Sequence, residues 1–594
     1  MNLQKFTLLL LICFCFPIES YGQYQPNIKL PNASLTPKLG LFRSSVPDSF
    51  KLLAIRVEFK KDTDDGSTGN GLFDLSFPSI GSDLKFDPPP HNNIYFSAHI
   101  KALSNYYKKV SGGKVLIDLE RSVVSPSSRN GAYQLSDSMR FYSPNLDDET
   151  NDQRLAQLFY QSIKAAAVDI ADYNAFDVVT IFHAGVGKDF VFQLDLTPFD
   201  IPSAYLDSDF LSKNLSAGEF SELQAFGVEK GIILPETQSQ EGFDIALNGT
   251  FALLFGSFLG LPSLWDTDSG NPGIGKWGLM DQGSNNMNGS VPAFPSAYTR
   301  RLMRWDRPEF INSGKSLPVA IAGSDSGTHI YSIRINAREF FLLENRSRST
   351  PSVQGFDSLI VGGDTAFVKY DSEKSGVIVS VANYDAGIPG SGILIWHLDG
   401  GIIDANRASN TINNDIDNRG VALVEGDGSQ DIGHEFGFLQ AGSGSEVGSR
   451  WDPFYAKNPA WYFQNPNFVP ENLDSAVAFT NETNPNNKSN IGAYTGLNFT
   501  NISKAGEVMT FDLSHGLLVD GFPFHFEGSN LMSTNSPAVA DFNGDGVKEI
   551  FMTLPDGLIH ITTMSNGEVL PYNTHRKVFT DFANGAKGSI LVTD

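Results

Sequence analysis

At 594 residues the chain is too long for a single hydrophobic core, so three or four domains are expected. A hydrophobic content of 41% with 19% charged residues excludes a disordered chain, and 12% aromatic residues suit packed β-structure. The net charge of −24 argues against nucleic acid as a partner; it suits an extracellular protein that holds calcium or presents a solvated acidic surface.

Residues 1–22 read as a secretory signal. Lys5 supplies the charge, residues 6–16 form the apolar core, and Ser20-Tyr21-Gly22 places cleavage before Gln23. That core is shorter than a bilayer span, and no later segment carries 18 consecutive apolar residues, so no membrane span is expected in the mature chain. Both cysteines, Cys13 and Cys15, lie inside the signal. A secreted chain without disulfides points to a bacterial source, with the protein released or held at the cell surface. Residues 23–47, rich in Pro, Asn and Ser, read as a linker.

The alternation over Lys51–Phe59 predicts a strand, and residues 62–72 a loop. Ile94–Val110 predicts an amphipathic helix stopped by Ser111-Gly-Gly113, followed by a strand at Lys114–Asp118. Residues 150–171 carry helical spacing. The apolar run Phe176–Phe182 predicts a buried central strand ending in His183-Ala-Gly185. A helix is expected over 243–260, interrupted near Gly249 and Thr250, and stopped at Gly260 with Pro262 beyond. From about 306, short β-rich runs such as Phe340–Glu344 and Ile393–His397 alternate with Gly, Asp and Asn loops, which reads as β-sandwich material to about 515.

Residues 253–263 read Leu-Leu-Phe-Gly-Ser-Phe-Leu-Gly-Leu-Pro-Ser. A zinc-peptidase helix needs His-Glu-x-x-His, with two imidazoles one turn apart on the metal and a Glu between them as general base. Here those three positions are Leu253, Leu254 and Ser257. Leucine has no lone pair, a neutral serine is a poor zinc ligand, and no base remains to take a proton from water. None of the ten histidines stands four residues from another, so no replacement pair is evident. A nucleophile elbow at Ser257 is disfavoured, because the preceding Gly adjoins the Ser. Asp266 and Asp268 follow in a Gly- and Asn-rich loop, where a calcium ion or a plain polar turn fits.

Seven strings in order make the region resemble the M6 family of secreted bacterial metallopeptidases, the immune inhibitor A type. They are Asn105-Tyr-Tyr-Lys-Lys-Val-Ser-Gly-Gly113, Phe176-Asp-Val-Val with His183-Ala-Gly185, and Phe255-Gly-Ser-Phe-Leu-Gly-Leu-Pro262. Gly273-Ile-Gly-Lys-Trp-Gly-Leu-Met280, Pro292-Ala-Phe-Pro-Ser-Ala297, Phe341-Leu-Leu-Glu-Asn-Arg346 and Leu394-Ile-Trp-His-Leu-Asp399 complete the set. The resemblance spans about 50–515. It implies a zincin-like domain at 48–305, a third ligand position at Ser263, and a methionine turn at Met280. All four functional positions, Leu253, Leu254, Ser257 and Ser263, are substituted, so zinc is expected to be absent and the domain to be a pseudopeptidase.

Near the C-terminus, Asp541, Asn543, Asp545 and Glu549 place oxygens at positions 1, 3, 5 and 9 of one loop. Gly546 permits the turn, and the Val547 carbonyl is available between them. Hard oxygens at this spacing suit calcium. The string resembles the FG-GAP or VCBS repeat of β-propellers, with strands expected at Ile550–Leu554 and Leu558–Thr563. The final residues 589–594 echo 536–541, which suggests a second repeat cut short.

The fold expected is thus multidomain α/β plus all-β: a zincin-like domain at 48–305, a β-sandwich region at 306–515 and a partial propeller-type repeat at 516–594. Three functions stay open. One is an inactive binding or scaffold module with a protein or surface-glycan ligand. The others are an active zinc endopeptidase with an atypical site, and a structural or adhesive surface protein.

Overall fold

The computed structural model describes residues 48–77, 86–190, 196–240, 242–437, 440–468, 477–516 and 538–541, and strand backbone at 549–554, 557–563 and 569–570. The signal at 1–22, the linker at 23–47 and the calcium-loop positions Asn543, Asp545 and Val547 lie outside the described residues. The protein is mixed α/β with several sheets. Two compact units are distinguished: one runs to Thr495 and includes Phe499–Asp512, and the other holds Gly496–Asn498 and the chain from Leu513 onward.

The first unit is organised on a six-stranded sheet. Asp48–Phe50 (β1) and Val115–Ile117 (β3) pair separately in parallel. In the main sheet, Leu52–Glu58 (β2), Val123–Ser125 (β4), Tyr133–Gln134 (β5), Val178–Val186 (β6) and Gly231–Thr237 (β8) run parallel. Ala204–Leu206 (β7) closes one edge antiparallel to β8. The continuous apolar run in β6 is explained by its place: every residue is buried, as in a parallel strand covered on both faces.

On one face lie helices α1 (Asn93–Val110) and α3 (Asn248–Phe258), with Phe182 of β6 meeting Phe96 at 4.6 Å and Phe251 at 5.7 Å. On the other lies α2 (Asp148–Ala166), whose Phe159 ring leaves no room for a Cβ at Gly231. The Asn92 and Asp147 side chains cap α1 and α2 by accepting amide protons of the first turn.

Beyond helix α4 (Ala297–Leu302) comes a five-stranded mixed sheet. Its order is β17 (Val421–Val424), β16 (Gly392–Asp399), β12 (Glu339–Arg346), β11 (Ile330–Arg334) and β9 (Glu309–Phe310). Two three-stranded sheets accompany it: β13 (Asp357–Val361), β14 (Asp364–Tyr370) and β15 (Ile378–Val381), and β10 (Gly314–Ala320) with β19 (Val508–His515) and β18 (Leu497–Thr500). Strand β15 packs on α1, where Asn105 Nδ2 donates to the Val379 carbonyl at 2.7 Å.

The division expected at 305/306 falls inside the first unit, because one hydrophobic core runs from Leu52 to Ile432. A buried charge network spans the same position. Arg300 Nη1 donates to Glu344 Oε2 at 2.7 Å, Arg346 clamps Asp385 at 2.6 and 2.5 Å, and Arg346 also donates to the Trp277 and Phe294 carbonyls. Trp396 Nε1 donates to Glu344 Oε1 at 2.7 Å. The strings Phe341–Arg346 and Leu394–Asp399 thus supply the charges and the indole that join the two regions. Burial pushes the Glu344 carboxyl up, but Arg300 and Arg346 beside it prevail and hold it below the ordinary range.

The second unit contains an antiparallel meander, β20 (Ala538–Ala540), β21 (Glu549–Leu554), β22 (Gly557–Thr563) and β23 (Val569–Leu570). Ala540 and Glu549, at the two ends of the Asp-rich segment, stand opposite each other in the antiparallel pair.

Candidate functional site

Helix α3 carries three of the four positions expected of a zinc site. It begins five residues later than the sequence suggests, and it runs unbroken through Gly249 and Thr250. Gly249 is no interruption. It is the residue that lets the helix approach the Ser284 carbonyl, which would stand 1.9 Å from a Cβ there. The Leu247 amide donates to Asp87 Oδ2 at 2.7 Å, and this side-chain acceptor marks the start.

Every residue Gly249–Phe258 is buried. Leu253 and Leu254 belong to the continuous core, and the Ser257 hydroxyl turns back to the Leu253 carbonyl at 3.4 Å. Met280 stands beside the helix: its sulfur lies 2.8 Å from where a Gly256 Cβ would be, and its carbonyl accepts from the Leu264 amide at 3.0 Å. The structure therefore places Met280 against the helix.

The fourth position, Ser263, is held by a residue from far along the chain. The Ser263 amide donates to Asn410 Oδ1 and Asn410 Nδ2 donates to Ser263 Oγ, both at 2.8 Å. Neighbouring bonds extend the lock: Asn413 Nδ2 donates to the Leu264 carbonyl, and Thr267 pairs with Asn414. Residues 410–414 thereby fasten the segment that follows α3. The donors zinc requires are not there: Leu253 and Leu254 offer no lone pair, and the hydroxyl of Ser263 is already engaged. Residues at these four positions do not fit the metal.

Beside this filled site, the segment Gly273–Gln282 wraps a buried carboxylate. Asp281 accepts the amides of Gly273, Ile274, Gly275 and Gln282 at 2.6–2.8 Å. The start of α3 is tied to a second polar group at the carboxyl ends of β2, β6 and β8. His91 Nδ1 meets Glu236 Oε2 at 2.7 Å, His99 Nδ1 meets Asn248 Oδ1 at 2.9 Å, and the Gly185 amide donates to Glu236 Oε1 at 2.7 Å. Burial opposes the charge on His91, but Glu236 prevails and raises its pKa. Burial pushes His183 down to about 4, so it stays neutral.

Asp266 places its oxygens within its own turn, on the Asp268 and Ser269 amides and the Ser269 hydroxyl. Asp541 is exposed, and Glu549 opens β21.

The sequence reading missed one group. Glu425, Asp427 and Asp452 bring a carboxylate oxygen each within 4.8 Å of one another, and they are the one such cluster of metal-ligating side chains among the described residues. Glu425 and Asp452 are buried. Ser429 and the Asp431 and Ile432 amides donate to Glu425; the Trp277 indole and Ser449 donate to Asp452. Burial first, then the neighbouring carboxylates, push Glu425 well up and Asp452 to about 7. Oxygen donors crowded this way hold either shared protons or a hard divalent cation. The available signal was the Glu425-Gly-Asp427-Gly pattern, but its partner Asp452 is not local in sequence.

The chain matches no protein-family model, and no curated protein is significantly similar to it.

Proposed function

We propose that this is a secreted bacterial protein built on an M6-type peptidase scaffold that no longer carries zinc chemistry, and that it serves as a binding or scaffold module at or near the cell surface. The observation that carries the reading is the filled helix: leucines at the first ligand and base positions, with Ser263 bonded to Asn410 at the third-ligand position. Two buried leucines contribute on the order of 1.5–3 kcal/mol each. A domain that has lost its metal keeps its helix in place by that burial.

The test is metal analysis of the purified protein together with a casein-cleavage assay. Substoichiometric zinc and no chelator-sensitive cleavage are expected. One tightly held zinc per chain, with turnover abolished by a chelator, overturns the proposal.

The C-terminal hairpin is proposed to hold calcium through Asp541, Asn543, Asp545, the Val547 carbonyl and Glu549. The antiparallel pairing of Ala540 with Glu549 supports it by bringing the loop's ends together. In this reading the meander is one FG-GAP or VCBS-type unit, and a protein or surface glycan is the ligand class of the whole chain.

A further inference from the structure

A cleft of about 600 Å3 opens at the edge of the five-stranded sheet, bounded on one side by the start of helix α5 (Gly400–Asn406). None of its lining residues belongs to α3 or to the acidic group at Glu425, and the inference stands independently of the peptidase reading. Three of its side chains are arginines: Arg301 of α4, Arg334 at the end of β11 and Arg338 in the turn before β12. Phe310, 76% exposed, and Phe340 supply apolar faces. The Arg301 guanidinium lies over the Phe340 ring at 4.5 Å.

The charge balance makes this grouping unusual. The chain holds 67 acidic and 43 basic residues. Of its buried arginines among the described residues, Arg300 pairs with Glu344 and Asp306 and Arg346 with Asp385, while Arg56 is spent on the Pro126, Ser128 and Arg129 carbonyls. The three cleft arginines have no ion-pair partner among the described residues; Arg334 donates only to the Asn336 carbonyl. Two carboxylates line the same cleft. Glu339 is committed inward, its oxygens accepting from Asn336, His397 and the Asn490 amide, which leaves the exposed Asp404 against three cations. Burial without a compensating carboxylate also lowers the pKa of Arg301.

Guanidinium forks match carboxylates bidentately. Among the described residues, strand β9, the outermost of its sheet, pairs only with β11, which leaves its other edge without a strand partner. We propose that this cleft binds an extended acidic peptide, with carboxylates on Arg334 and Arg338 and an apolar side chain against Phe310.

The test is fluorescence anisotropy on the full chain with a fluorescein-labelled Glu-Phe-Glu-Phe-Glu-Glu peptide, beside a labelled oligogalacturonate and a peptide with Lys in place of Glu. The acidic peptide is expected to bind saturably, to weaken as salt rises, and to lose at least about tenfold in affinity in R334E/R338E. The variant R121E, at an exposed arginine paired with Asp118 outside the cleft, is expected to bind as wild type. Thermal melts of both variants by circular dichroism separate lost binding from lost fold. Absence of saturable binding at low salt overturns the proposal, as does unchanged affinity in a folded R334E/R338E. Binding of the oligogalacturonate alone overturns the peptide assignment.

Discussion

Leu254, which the sequence strings align with the general-base position of a zinc peptidase, is 2% exposed within the continuous core. Placing a carboxylate there strands a charge without a partner. Leu254→Glu is expected to destabilise the first unit by about 3–5 kcal/mol, in the range for an uncompensated buried charge. Chemical denaturation read by tryptophan fluorescence measures it. An unchanged midpoint would mean that a cation or donor already waits at the site. The residue types at these positions were legible from the sequence alone. The engagement of Ser263 was not, because Asn410 stands 147 positions away.

At the scale of elements, helix α3 shows what local patterning captures and what it misses. The helices and strands read from periodicity are present within a few residues: α1 at 93–110, β2 at 52–58, and β6 displaced toward its C-terminal end at 178–186. Local propensity penalises glycine inside a helix, which is why an interruption at Gly249 was expected. Packing overrides it: only glycine lets α3 rest on the Ser284 carbonyl. Gly249→Ala should therefore lower stability by at least about 1–3 kcal/mol, although alanine is the better helix former. A thermal shift toward higher temperature in this variant would show that the contact is not what selects the residue.

For the whole molecule, the buried Arg300–Glu344 pair makes residues 48–305 dependent on the strands that follow. Residues 48–305 expressed alone should fail to give a cooperative melt, whereas 48–512 should unfold in one transition. Calorimetry of the two fragments decides this, and a cooperative short fragment would refute the shared core.

Three sites contribute to the pH dependence. Glu344 is depressed, so its contribution is present above about 4.5 and lost as pH falls through its folded value. His91 is raised, so its contribution is present below about 6.5 and lost as pH rises through its folded value. Glu425 and Asp452 are raised carboxyls, so theirs is lost as pH rises toward about 7 and above. Millimolar calcium should restore stability on that alkaline side, and Glu425→Gln with Asp452→Asn should remove the calcium response. Denaturant midpoints measured across pH with and without calcium, and no calcium effect in the wild-type protein, would leave the cluster to protons alone.

Periodicity and short strings were enough to read the central strand and the first helix, since each depends on neighbours within a turn or a strand. The tertiary fold alone decided that residues on both sides of 305 share a core, that Asn410 fastens Ser263, that Glu425 meets Asp452, and that three arginines face one cleft. Those arrangements join side chains from distant segments, and chain spacing carries no record of such meetings until hydrophobic burial has brought the segments together.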